Sequence, residues 1–147
     1  MRIWRRVAIE ELHHLDARRD HERIAYLDAC FEFPWDTTHS LELALFRTFA
    51  VAKGSALLAG TGEFTERTQK RYDDTVLILS ELLEHGYESE RGRAALRQMN
   101  RIHRRYPIPN DEFLYVLSTF IFEPIRWNAR FGWQPMLPQE REAAYIY

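Results

Sequence analysis

Proline and glycine breaks in a helical period are the feature that most limits how this chain can fold. Apolar residues recur at spacings of three and four almost throughout, with no alternating run beside a turn pair such as Asn-Gly. Between the periodic stretches stand Phe33-Pro34-Trp35-Asp36, Gly60-Thr61-Gly62, Gly86, the Pro107 and Pro109 pair, and Pro124. Proline disfavours helix in the residue before it, and a glycine past the last turn ends one. This pattern predicts one helix from about Asp20 into Cys30 and a second from about Thr38 to Ala59. A third starts after Thr61 or Thr65 and ends at Gly86, and a fourth is capped by Ser89 and reaches about Tyr106. A fifth starts at Asn110, with Asp111 and Glu112 favouring the positive end of its dipole, and ends or kinks at Pro124. A last one begins near Glu140. The expectation is an all-α fold: a single helical bundle of about five to six helices, one domain over residues 1–147.

Composition removes several classes of function. Twenty basic and 22 acidic residues nearly cancel, to a formal charge of -2. That gives no electrostatic case for nucleic acid or an anionic membrane surface. The one cysteine, Cys30, cannot form an internal disulfide, so a reducing compartment and a small buried apolar role are expected. The N-terminus lacks the pattern of a secretory signal. The apolar stretch 41–58 is interrupted by Glu42, Arg47 and Lys53. The run 113–122 is about half the ~20 residues a spanning helix needs. A soluble, cytoplasmic chain with no membrane span is expected.

The helix faces single out three polar residues. Ala95, Leu96, Met99, Ile102 and His103 form one continuous stripe, while the arginines at 93, 97, 101, 104 and 105 mostly cover the other side. His103 therefore points inward. It is either a core histidine bonded to a neighbour or a metal or haem ligand. In the preceding helix Arg71, Thr75, Ile78, Leu79 and Leu82 share a face. An inward arginine keeps its charge and needs an anion. That anion is either an internal carboxylate, such as Asp20, Glu63 or Glu123, or one belonging to a ligand. Asp73 and Asp74 point about 100° apart and read as solvated carboxylates. The histidines at 13, 14, 21 and 39 lack the spacing of a helical zinc site and read as surface residues. No glycine-rich phosphate loop, Gly-x-Ser-x-Gly elbow or Cys-x-x-Cys is present.

The segments FPWDTTHSLELALFRTFAVAKGSALLAGTGEFTERTQKRYDDT and SERGRAALRQMNRIHRRYPIPNDEFLYVLSTFIFEPIRW carry a family resemblance. With TGEF, KRYDDT, RGRAA and NRIH as the specific set, the chain resembles the MpaB-type oxygenases, which share a catalytic domain with latex-clearing rubber oxygenase. The likeness runs from about Asp16 to Glu142. It implies an all-α fold holding haem b, with iron bound by His103 and with Arg71 and Thr75 supplying polar groups at the haem. The implied chemistry is oxidative cleavage of a carbon–carbon double bond in a small apolar, isoprenoid-like substrate by dioxygen. Family members are usually longer, so a short or C-terminally truncated member is expected, without the family's C-terminal helices.

Two other functions fit the same residues. One is a haem-binding protein without turnover. The other is a cofactor-free helical interaction module, self-associating through an uncovered apolar face that includes Trp127, Phe131, Trp133 and Tyr145.

Overall fold

The computed structural model describes residues 2–147, and every regular element among them is helical. In order these are α1 (Arg2–Leu12), α2 (Ala17–Leu27), a π turn (Asp28–Glu32), α3 (Pro34–Arg47) and a 3-10 turn (Thr48–Ala50). Then come α4 (Ala52–Gly60), α5 (Glu63–Glu66), α6 (Thr68–His85), α7 (Glu90–His103), α8 (Asn110–Phe131) and α9 (Pro138–Ile146). The chain forms two compact units, one of Met1–Leu45 with Leu117–Tyr147, the other of Phe46–Val116.

The first unit is built on small and branched apolar side chains. Ala8 and Leu12 of α1, Ala17, Ile24 and Leu27 of α2, and Ala143 of α9 are buried together. Burying Leu12 and Ile24 completely contributes about 1.5–3 kcal/mol each. Asp16 caps α2 by accepting from the amides of Arg18 and Arg19. Arg23 grips Glu11 with two bonds, at 2.7 and 2.9 Å, and holds that carboxyl below its ordinary pKa. Below α2 the chain widens into the π turn, where the Phe33 amide donates to the Asp28 carbonyl five residues back, at 2.8 Å.

That turn places acidic side chains in the core. Asp28, Glu32 and Glu140 are all buried, and one carboxylate oxygen of each lies within 4.8 Å of the others. Burial first, and then repulsion from Glu140 and Glu32, pushes Asp28 up to about 9. Burial first, and then the charge of Glu32, pushes Glu140 up to about 8.

The second unit depends on one close backbone approach. Gly86 stops α6 in a left-handed conformation, φ 74°, and its amide donates to the Leu82 carbonyl at 2.8 Å. Ser89 then caps α7, accepting from the Gly92 amide at 2.9 Å and donating to the Gly86 carbonyl at 3.0 Å. A Cβ at Gly92 would sit 2.0 Å from the Gly86 carbonyl oxygen. Only glycine lets α7 start so close to the end of α6.

The all-α expectation is met, but among the described residues there are nine helices rather than five to six. The predicted helix from Thr38 to Ala59 is two, because Thr48 to Ala50 tighten into a 3-10 turn and Val51 is extended (φ −92°, ψ 114°). The predicted third helix is also two if begun after Thr61, while the alternative start after Thr65 comes close to α6. Arg67 leaves helical geometry (φ −136°, ψ 40°), and the Thr68 hydroxyl binds the Phe64 carbonyl at 2.7 Å, a side-chain bond that competes with the helix ladder. The additional α1 has a four-residue apolar spacing, Ala8 to Leu12, and the sequence reading passed over it. Pro124 does not end α8, which continues to Phe131. Cys30 is exposed rather than buried.

Gly92→Ala should lose about 1–3 kcal/mol through overpacking against backbone. Gly60→Ala, with nothing within 4 Å of the added carbon, should be neutral or gain up to about 1 kcal/mol. Urea unfolding of both variants measures the contrast. The buried carboxyls give a pH dependence of definite sign. Folded Asp28 and Glu140 hold protons that the unfolded chain has released above about pH 4, so stability falls as pH rises. Between about pH 7 and about pH 9, with a chelator present, the melting temperature should fall less in Asp28→Asn than in the parent chain.

Candidate functional site

The three residues singled out from the helix faces all lie in the second unit. Arg71, Thr75, Ile78 and Leu79 are half-buried along α6, and Leu82 is buried. On α7, Ala95 is buried while Leu96, Met99, Ile102 and His103 are half-buried, and the five arginines of the opposite side are exposed. His103 is the last helical residue of α7, and its carbonyl accepts from the Tyr106 amide at 3.1 Å.

Among the described residues Arg71 has neighbours but no carboxylate in ion-pair range. Its guanidinium donates to the Thr75 hydroxyl oxygen, and that hydroxyl donates to the Arg71 carbonyl at 3.1 Å. Its other contact is the face of Phe64, with the guanidinium carbon 5.4 Å from the ring centre. Glu63, one of the acids expected to pair with it, is taken by Arg67 instead. Among the described residues no ion pair reaches Arg71.

His103 is held against Phe113, ring centres 5.3 Å apart at 71°. Burial first, and then the positive charge of Arg71, lowers its pKa from the ordinary histidine value. The ring is therefore neutral at pH 7, with a nitrogen lone pair available to a metal.

The TGEF segment accounts for the position of Phe64. The Thr61 hydroxyl closes α4 on the Leu58 carbonyl at 2.8 Å and accepts from the Glu63 amide at 3.3 Å. Gly62 turns left-handed, φ 70°, and α5 restarts with Phe64 under Arg71. Phe49 packs edge-on to Phe64 with ring centres 5.2 Å apart. Phe64 and Phe113 were missed by sequence reasoning. The available signals were the aromatic two residues past Gly62 and the one in the first turn of α8.

The remaining polar candidates sit apart from these groups. Asp73 is exposed and accepts from Gln69 at 2.7 Å, and Asp74 pairs with Lys70. His13 and His14 are exposed. The Nδ1 of His21 lies 3.2 Å from the Arg18 carbonyl, and that of His39 lies 3.0 Å from the Trp35 carbonyl. None of these histidines belongs to a cluster able to hold a metal ion among the described residues.

The coupling between the two key residues can be tested without any ligand. Arg71→Gln should raise the His103 pKa toward its ordinary value while burial keeps part of the depression, as read from the ring resonances in an NMR pH titration. An unchanged His103 titration would show that Arg71 does not act on it.

Comparison with known proteins adds a family. The chain is 33% identical over 119 residues to the ER-bound oxygenase mpaB of Penicillium roqueforti (strain FM164), covering 77% of this chain and 40% of the relative. Two proteins of Penicillium brevicompactum, the ER-bound oxygenases mpaB and mpaB', are each 32% identical over 114 residues. Those alignments cover 74% of this chain and 29% and 27% of the relatives. The chain thus spans 40% or less of the length of these curated relatives. No protein-family model and no solved structure matches it. With that identity over three quarters of its residues, the chain belongs to the MpaB-type oxygenase family.

Proposed function

We propose that this chain is the haem-holding part of an oxygenase that cleaves a carbon–carbon double bond of an isoprenoid-like apolar substrate with dioxygen. One observation carries the reading. Arg71, half-buried and without an ion-pair partner among the described residues, acts by its positive charge on His103, whose neutral form burial and that charge favour. A neutral imidazole can bind a haem iron, and a haem propionate is a carboxylate that suits a half-buried guanidinium. The residues present therefore fit haem b. When bound, haem would supply the iron chemistry that activates dioxygen.

The chain's own residues have separate tasks in this reading. His103, its ring packed against Phe113, would hold the iron. Arg71 binds a carboxylate or a polar oxygen, and Thr75 and Phe64 hold its guanidinium in one orientation. The aromatic faces of Phe64 and Phe113 offer the apolar contact that an isoprenoid chain needs. The family names support the oxygenase class, since the three relatives are named as oxygenases.

Purified with haem precursor supplied, the chain should show a Soret band, and His103→Ala should lose it. Arg71→Gln should keep the band but bind haem about tenfold more weakly or worse, the worth of a charge-assisted hydrogen bond. Because the His103 pKa is lowered, the band should persist to a pH below the ordinary histidine value and disappear as His103 protonates. A helical, well-folded and colourless sample would overturn the haem reading. Oxygen uptake with an unsaturated isoprenoid then separates an oxygenase from a haem protein without turnover.

A second reading has its own observation. In the first unit Trp35 is 59% exposed, Phe131 57% and Tyr145 71%, more aromatic surface than water favours. A cofactor-free module that self-associates through such side chains would be colourless and would elute larger than a monomer in size-exclusion chromatography.

A further inference from the structure

The π turn and the start of α9 bring together a cluster that the haem reading does not use. Asp28 is the first residue of the π turn, Glu32 the last, and Glu140 lies in the first turn of α9. Relative exposures are 8%, 0% and 0%. One oxygen of each carboxylate lies within 4.8 Å of the other two. We propose that Asp28, Glu32 and Glu140 form a binding site for a hard divalent cation, of the kind that takes oxygen ligands.

The argument rests on the state of the oxygens. The Oδ1 of Asp28 and the Oε1 of Glu140 are buried and accept no hydrogen bond. Orphaned buried acceptors cost free energy, and a carboxylate far more than a neutral group. The other Glu140 oxygen accepts from the Leu137 amide, so its first oxygen is the one left toward the cluster. Glu32 Oε1 accepts from the Gln134 side-chain amide at 2.5 Å. No arginine or lysine contributes to the electrostatics of Asp28 or Glu140. Asp28 and Glu140, at this spacing and with no basic side chain acting on either, require either retained protons or a bound metal ion.

The donor set selects the ion. All three side chains offer oxygen, with no histidine or cysteine, which suits Mg2+, Mn2+ or Ca2+ rather than zinc or copper. Metal–oxygen distances of about 2.0–2.6 Å place two ligands on one ion at separations up to about 5 Å, the range found here. Gln134 is a ready fourth ligand, because rotating its amide turns the carbonyl oxygen toward the cluster. A π turn inside a helix recurs at functional sites, and here it begins and ends on a ligand. The site uses residues of the first unit only, so it does not depend on whether His103 binds haem.

The test is Mn2+ binding to the full chain after chelator treatment. Free Mn2+ is followed by electron paramagnetic resonance and the protein by thermal melting at neutral pH, with Ca2+ and Mg2+ as competitors. The expected result is saturable uptake of one Mn2+ per chain with a rise in melting temperature. Glu140→Gln, close in shape and folded by circular dichroism, should bind about tenfold more weakly or worse. No uptake at millimolar Mn2+ would overturn the proposal and leave a proton-sharing carboxyl cluster. Uptake that is unchanged in both Glu140→Gln and Asp28→Asn would overturn it as well, by placing the ion elsewhere.

Discussion

The approach of Gly92 to the Gly86 carbonyl is the contact on which the second unit depends. The four-residue link from α6 to α7 leaves no slack, and Ser89 ties both ends of it through one hydroxyl. With the start of α7 fixed against the end of α6, the two helices can meet only along defined faces. The face of α6 carries Arg71 and Thr75, and that of α7 ends on His103. The approach of α7 to α6 at this end therefore depends on a missing methyl group in the RGRAA segment.

Much of this was legible because helical period is a strong signal over long stretches. The stripe through Ala95, Met99 and His103 and the stripe through Arg71, Thr75 and Leu82 both lie on the buried sides of their helices. Capping chemistry was equally readable at Ser89 and Gly86. Interruptions were harder to see. Val51 and Arg67 break helices without proline or glycine, through backbone angles that neither residue type demands. The partner of Arg71 was also beyond the sequence. Glu63 is near in the chain, and only the turn at Gly62 shows that Arg67 takes it and Phe64 faces Arg71 instead.

The acidic cluster was hidden for a different reason. Helical period assigned Asp28 and Glu32 no role, and nothing in the sequence pairs them with Glu140. The extra residue in the π turn and the arrival of Glu140, more than a hundred positions later, put them in the core. The two units thus treat buried charge in opposite ways. Among the described residues, one has a half-buried guanidinium that no ion pair reaches, and the other gathers three buried carboxyl groups, two of which burial pushes toward the protonated form.

The restraint on Arg71 has a consequence for recognition. A free arginine side chain loses about 2 kcal/mol of rotamer freedom when a ligand immobilises it. Here Thr75 and Phe64 have already removed much of that freedom during folding. An anion arriving at this guanidinium meets a donor array that is already oriented, so discrimination will depend on the shape of the anion more than on its charge alone.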